Sequence, residues 1–137
     1  MKLLITGSNG LLGQKLVAEC IAQRIDFLAV SSGENRNPTC PNTHYTSIDI
    51  TDFIAVKSFF DISSCSHIMH TAAMTNVDAC ELNPEECYKV NHLASRHLFE
   101  IAKEKNLHFT LLSTDFVFDG EQGNYSETDT PNPLSIY

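Results

Sequence analysis

Gly7, Gly10 and Gly13 follow a short apolar run, residues 2–6, and open an amphipathic stretch. A strand that turns on glycines into a helix offers free N–H groups and the positive end of the helix dipole to a phosphate. In such a turn Gly7 allows the sharp change of direction. Gly10 leaves bare backbone where a pyrophosphate must approach, and Gly13 lets the helix pack close to the sheet. The spacing is G-x-x-G-x-x-G, not the commoner G-x-G-x-x-G. A tight turn with no ligand would also use these residues.

A dinucleotide site expects an Asp or Glu for the adenosine ribose at the end of the second strand, about twenty residues on. Ser31, Ser32 and Gly33 stand there instead. No carboxylate would repel a 2′-phosphate, Ser31 and Ser32 can donate to it, and Arg36 can pair with it. NADPH is therefore expected over NADH, which the same turn would also accept. Arg36 is otherwise a solvated loop residue. Asp49 and Ile50 are expected to meet an adenine ring, Asp49 accepting from its amino group and Ile50 packing on its face. The competing reading makes Asp49 the cap of a helix beginning near Asp52. Ala72 and Ala73 leave room for a dinucleotide to cross the sheet edge.

Asn91 interrupts an apolar helical stripe four residues after Cys87. A polar side chain facing a core costs ~1–3 kcal/mol unless it finds partners. Asn91 is read as tying down neighbouring strand backbone or holding an active-site water; at a frayed edge of the stripe it would touch solvent. Thr114, at the carboxyl end of the last strand, is placed to hydrogen-bond a substrate oxygen.

Other chemistry is disfavoured. The five cysteines are odd in number and form no C-x-x-C, so reduced thiols are expected. A zinc site from Cys80, Cys87 and a histidine fits no common ligand spacing, and no metal is expected. His67 and His70 sit in an apolar run and read as structural. A net charge of −8 with no basic run argues against nucleic acid and anionic membrane surfaces. No apolar run is long enough for a secretory signal or a membrane helix, so the cytoplasm is the expected location.

The positioning elements alternate. Strands are expected at residues 2–6, 27–30, 45–50, 67–70 and 107–112. A helix is expected over 11–24, with Leu12, Leu16, Val17, Cys20 and Ile21 facing the core. A second is expected over 52–61 with Phe53, Val56 and Phe60 on one face. A third is expected over 83–105, with Asn83 as cap, Pro84 in the first turn and Glu86 completing a capping box. Its stripe is Cys87, Val90, Ala94, Leu98 and Ile101. Residues 32–42 and 119–133 read as loops. This order predicts an α/β fold, a Rossmann-type doubly wound parallel sheet, with residues 1–137 as one dinucleotide-binding domain.

Five segments together resemble the extended short-chain dehydrogenase/reductase family, and within it the dTDP-4-dehydrorhamnose reductase branch. They are Ile5-Thr-Gly-Ser-Asn-Gly-Leu-Leu-Gly13, Thr71-Ala-Ala-Met-Thr-Asn-Val-Asp78, Val90-Asn91, Ser113-Thr-Asp-Phe-Val-Phe-Asp-Gly120 and Pro133-Leu-Ser-Ile-Tyr137. The resemblance implies NADPH-dependent reduction of the 4-keto group of a nucleotide-activated deoxysugar. It implies Thr114 and Tyr137 as catalytic residues, and Thr114 and Asp115 against the substrate. Its cofactor set is Gly7, Asn9, Gly10, Leu11, Leu12, Gly13, Ser31, Ser32, Arg36, Asp49, Ile50, Ala72, Ala73, Thr75 and Asn91. The family's lysine, four residues after the tyrosine, would fall beyond Tyr137. The resemblance thus implies the N-terminal part of a longer protein, itself a poor catalyst, whose smaller C-terminal substrate domain lies outside this chain. The implied partner is a nucleotide-sugar, and a homo-oligomer is compatible with it.

Two departures stand out: no ribose-binding acid follows the second strand, and Thr71 stands where related sequences often carry Asn. An NAD-dependent nucleotide-sugar epimerase or dehydratase is the nearest alternative. Ser31-Ser32 and the Ser113–Gly120 string argue against it. A non-catalytic NADP-binding regulatory subunit of the same fold is the other.

Overall fold

The computed structural model describes residues 1–137. Lys2–Thr6 forms β1, the centre of the sheet. Leu4 and Ile5 are adjacent, point to opposite faces and are both buried, so both faces of β1 are covered. Helix α1 (Leu11–Ala22) leads to β2 (Asp26–Ser31), and a short β3 (Tyr45–Ser47) follows the loop after it. Helix α2 (Phe53–Ile62) leads to β4 (His67–His70). Then come α3 (Val77–Leu82), α4 (Pro84–Cys87), a π-helical segment Tyr88–Leu93, α5 (Ala94–Glu104) and β5 (His108–Leu111). All pairings are parallel, in the order β3-β2-β1-β4-β5. This is the doubly wound arrangement, with the order reversing beside β1, where such sheets open a crevice.

Two cores flank the sheet. One packs Ile5, Phe27 and Ala29 under Val17 and Cys20 of α1. The other packs Leu4, Val30 and Ile68 under Val56 and Phe60 of α2 and Leu98, Ile101 and Ala102 of α5. Asp52 caps α2 by accepting from the Ala55 N–H at 3.0 Å. No helix is long and apolar enough to cross a membrane.

Several expectations are corrected. Leu12 and Ile21 of α1 are exposed; Leu16, Val17 and Cys20 face the core as expected, joined by Gly13. Phe53 stays about a third exposed and sets its ring tilted against His97, with centroids 4.6 Å apart. The third strand stops at Ser47, so buried Ile48 and Ile50 lie past it. The helix expected over 83–105 is broken into α4, the π segment and α5, and α3 precedes it unexpectedly. Asn83 makes no side-chain cap to α4. Its Nδ2 donates to Ala79 O at 3.1 Å and so closes α3, and the capping box with Glu86 does not form.

Candidate functional site

The turn after β1 is built on close backbone approaches. Gly7 has φ 72°, and a Cβ there would lie 2.6 Å from Ala72 N. The turn after β1 and the segment after β4 are therefore in backbone contact. A Cβ at Gly13 would lie 2.2 Å from Gly7 O and 2.7 Å from Ser8 Cα. Gly13 thus packs α1 against the turn itself, not against the strands as expected. At Gly10 a Cβ would meet only Gly7 O, at 3.2 Å, and otherwise project into open space. The first backbone bond of α1 runs from Gln14 N–H to Gly10 O at 2.9 Å. The N–H groups of Leu11, Leu12 and Gly13 therefore have no partner within the helix.

Asn9 fastens the loop after β2 to this turn. Its Nδ2 donates to Glu34 O at 2.9 Å, and its Oδ1 accepts from the Arg36 N–H at 2.8 Å. Tyr45 adds a second tie, donating from its hydroxyl to Gly33 O at 2.7 Å.

The turn opens on a cleft of about 380 Å³ at the carboxyl edge of the sheet, within the usual range for small-molecule sites. Gly7, Asn9, Gly10, Ser31, Ser32, Arg36, Asp49, Ile50, Ala72 and Ala73 all line it, as expected of cofactor contacts. Leu11, Leu12, Gly13, Thr75 and Asn91 do not. Leu11 and Leu12 turn their side chains to solvent, and Thr75 is exposed. The walls also include Ile48, Thr71, Glu86 and Val90, which sequence reasoning did not assign. Glu86 and Val90 are four apart on a helix beside Ala72-Ala73, and that spacing was the available signal.

Asp49 does not cap α2. Its Oδ1 accepts from Thr51 N–H at 2.9 Å and Thr51 Oγ1 at 2.8 Å. These bonds, the backbone one first, hold its carboxyl below the ordinary range.

Asn91 takes the tie-down role, and its target is the segment after β4. Its Oδ1 accepts from Met74 N–H at 2.8 Å, and its Nδ2 donates to Met74 O at 3.0 Å and Cys87 Sγ at 3.3 Å. The amide is thereby engaged away from the cleft. It shapes the Thr71–Ala73 wall through Met74.

Behind that wall runs a buried polar chain. Ser95 Oγ donates to Asn91 O at 2.7 Å, so it accepts from His70 Nε2–H at 2.9 Å. His70 Nδ1 then accepts from Thr6 Oγ1 at 2.6 Å; the tautomer is assigned from these partners. The structural reading of His70 holds, and burial pushes its pKa down from 6.5 to about 4. The unfolded chain takes up this proton near pH 6.5 and the folded chain only near 4, so stability falls as pH falls through that window. A loss of about 2–3 kcal/mol is expected between those limits. Urea denaturation at pH 7.5 and 4.5 checks it: His70→Gln should flatten this slope, and an undiminished slope would assign it to other groups.

His67 is half-buried, stacked on His108 with centroids 4.5 Å apart. Cys80 and Cys87 are buried, and burial pushes the Cys80 thiol up to about 11. No three His, Cys, Asp or Glu side chains form a metal-holding group.

Thr114 starts a 3-10 turn over Asp115–Val117, its Oγ1 accepting from Phe116 N–H at 3.1 Å. Tyr137 sets its ring edge-to-face on Phe116, centroids 6.1 Å apart. Neither Thr114 nor Tyr137 lines the glycine cleft. Asp115 lines a separate depression with Phe116, Phe118, Asp119, Gly120 and Tyr125.

The model of the RmlD substrate-binding domain family matches residues 1–137. The chain belongs to that family. A probable low-salt glycan biosynthesis reductase of Haloferax volcanii is 37% identical over all of this chain and 45% of its own length. A dTDP-4-dehydrorhamnose reductase of Aggregatibacter actinomycetemcomitans is 35% identical over 99% of this chain and 42% of its own. The methionine adenosyltransferase 2 subunit beta of Danio rerio is 33% identical over 99% and 40%. The chain thus spans less than half the length of these relatives. Among solved structures, a hypothetical dTDP-4-dehydrorhamnose reductase from Sulfolobus tokodaii superposes with a TM-score of 0.84 at 35% identity, over 100% of this chain and 48% of that one. A dTDP-4-dehydrorhamnose reductase from Bacillus anthracis, solved in complex with NADP, gives 0.82 at 26%, over 99% and 44%. The cleft described above is therefore part of an RmlD-family fold.

Proposed function

We infer that this chain is the dinucleotide-binding part of an NADPH-dependent reductase acting on the 4-keto group of a nucleotide-activated deoxysugar, of the dTDP-4-dehydrorhamnose reductase type. The observation that carries the reading is the glycine turn opening on Ser31, Ser32 and Arg36, with no carboxylate at the end of β2. The fit to a dinucleotide rests on Gly10, whose missing side chain leaves open space at the start of α1. The NADP complex of the Bacillus anthracis relative supports a nicotinamide cofactor.

Each residue has a role in this reading. The backbone of the Gly7–Gly13 turn holds the pyrophosphate. Ser31, Ser32 and the Arg36 guanidinium hold the 2′-phosphate. Asp49 keeps its Oδ2 free of Thr51 and takes the adenine amino group, with Ile50 against the ring. When bound, the nicotinamide supplies the hydride. Thr114 orients the substrate carbonyl, and Tyr137 gives its proton to the developing alkoxide. A lysine past Tyr137 would lower the tyrosine pKa. The substrate partner is a nucleotide-sugar, and the expected compartment is the cytoplasm.

A regulatory-subunit reading draws support from the likeness to a methionine adenosyltransferase subunit beta. Thr114 and Tyr137 together favour the enzyme. Titration of the full-length protein should give a Kd for NADPH about tenfold or more below that for NADH, and Arg36→Ala should close most of the gap. A preference for NADH would overturn the cofactor assignment. Absence of NADPH-dependent reduction of a dTDP-4-keto-6-deoxyhexose would favour the regulatory subunit.

A further inference from the structure

Asp119 lies outside the cleft, at the neck of a long polar loop. Its Oδ1 accepts from the Glu121 N–H at 3.0 Å and from the Tyr125 hydroxyl. Its Oδ2 accepts from Asn132 Nδ2 at 2.9 Å. Asn132 also donates its N–H to Val117 O at 2.9 Å. The Phe118 and Tyr125 rings stack 4.3 Å apart, only 7° from parallel. One carboxylate therefore joins the start, the middle and the end of the loop. Asp129 serves only a local turn, accepting from Ser126 N–H and Oγ. The Tyr125 and Asn132 donors, in that order, hold the Asp119 carboxyl down to about 2, so it stays ionised at neutral pH.

The closed neck decides where the chain goes next. Past Asn132 it returns alongside α3, where Ile136 N–H donates to Glu81 Oε1 at 2.8 Å. It ends with Tyr137 against Phe116, the residue whose N–H the Thr114 hydroxyl holds. Thr114 and Tyr137 thus both meet Phe116, Thr114 at its backbone N–H and Tyr137 at its ring, although a polar loop separates them in sequence. Ordering each loop residue costs about 1–2 kcal/mol of entropy, so the return path needs ties of this kind.

We propose that Asp119 is a positioning residue: by binding Tyr125 and Asn132 to the loop neck, it sets Tyr137 in place relative to Thr114. The inference rests on Tyr137 being the general acid. A misplacement of about 1 Å at a reacting group can cost a hundredfold in rate.

The test uses the full-length protein with NADPH and the dTDP-4-keto sugar. Tyr125→Phe keeps the stack on Phe118 and removes one donor; kcat is expected to fall about tenfold. Asp119→Ala should lower kcat about a hundredfold, and both variants should keep the wild-type Kd for NADPH, which the distant glycine turn sets. Asn132→Asp sets two carboxylates against each other at the neck and should lower kcat about tenfold. Adding Asp119→Asn restores a donor–acceptor pair with the roles exchanged and should recover most of the lost kcat. Three results would overturn the proposal: kcat within twofold of wild type in all variants, parallel loss of NADPH affinity, or no recovery in the exchanged pair. Near-normal turnover in Tyr137→Phe would instead sink the general-acid reading beneath it.

Discussion

Gly13→Ala is expected to strip the protein of about 4 kcal/mol or more of its stability, while Gly10→Val leaves it folded but unable to bind a dinucleotide. The two glycines are one helical turn apart and face different surroundings. A methyl group at 13 would sit 2.2 Å from Gly7 O, far inside van der Waals contact, and the opposing atoms are all backbone. The neighbours cannot rotate away, because Gly7 is itself pressed on Ala72. Overpacking against a movable core costs about 1–3 kcal/mol; against fixed backbone about 4 kcal/mol or more is expected. That approaches the whole stability of a domain at the low end of the usual range of about 5–15 kcal/mol. Circular dichroism with a urea titration reads it, and a wild-type midpoint would refute the packing argument. At Gly10, φ is −76° and ψ 167°, which valine adopts freely. Its side chain would instead fill the space proposed for the pyrophosphate. Calorimetry with NADPH should find no binding in a folded Gly10→Val protein. Retained binding would place the phosphates elsewhere.

Tyr137→Phe in the full-length protein is expected to lower kcat by about 10²–10⁴ with the Kd for NADPH unchanged within twofold. Only the hydroxyl is lost, and the ring's edge-to-face contact with Phe116 remains. Binding and fold should therefore be preserved while proton transfer fails. Parallel loss of NADPH affinity would point to a structural effect. Turnover near wild type would remove Tyr137 from the mechanism.

The strands were legible because each is a short, nearly continuous apolar run, the pattern of a sheet covered on both faces. The glycine turn was legible because its chemistry is local: three residues and a helix start. What escaped notice depends on partners distant in sequence. Helix α3 was missed because Val77–Leu82 is brief and buries only Cys80; its cap, Asn76 accepting from Ala79 N–H, resembles any polar turn. Asn83 and Glu86 looked like a capping pair, but closing α3 took Asn83, and Glu86 was left to face the cleft. The π segment was invisible because a stripe averaged over twenty residues does not register one extra residue. Asn91 stands out in the sequence as a polar misfit, yet its partner Met74 is known only from the fold.

The π segment has a consequence for how this region tolerates change. A π turn amounts to a single-residue insertion in an α-helix. Removing one residue between Tyr88 and Asn91 would restore regular winding and leave the flanking turns in phase, because the bulge already accommodates the extra residue. Glu86 would keep its place on the cleft wall, while the wall at Val90 and the grip of Asn91 on Met74 would change locally. A further residue added to the regular turns of α5 has no such outlet and would turn everything upstream by about 100°. This stretch, exposed at Tyr88, Lys89 and His92, is therefore where the helix tolerates a one-residue change in length.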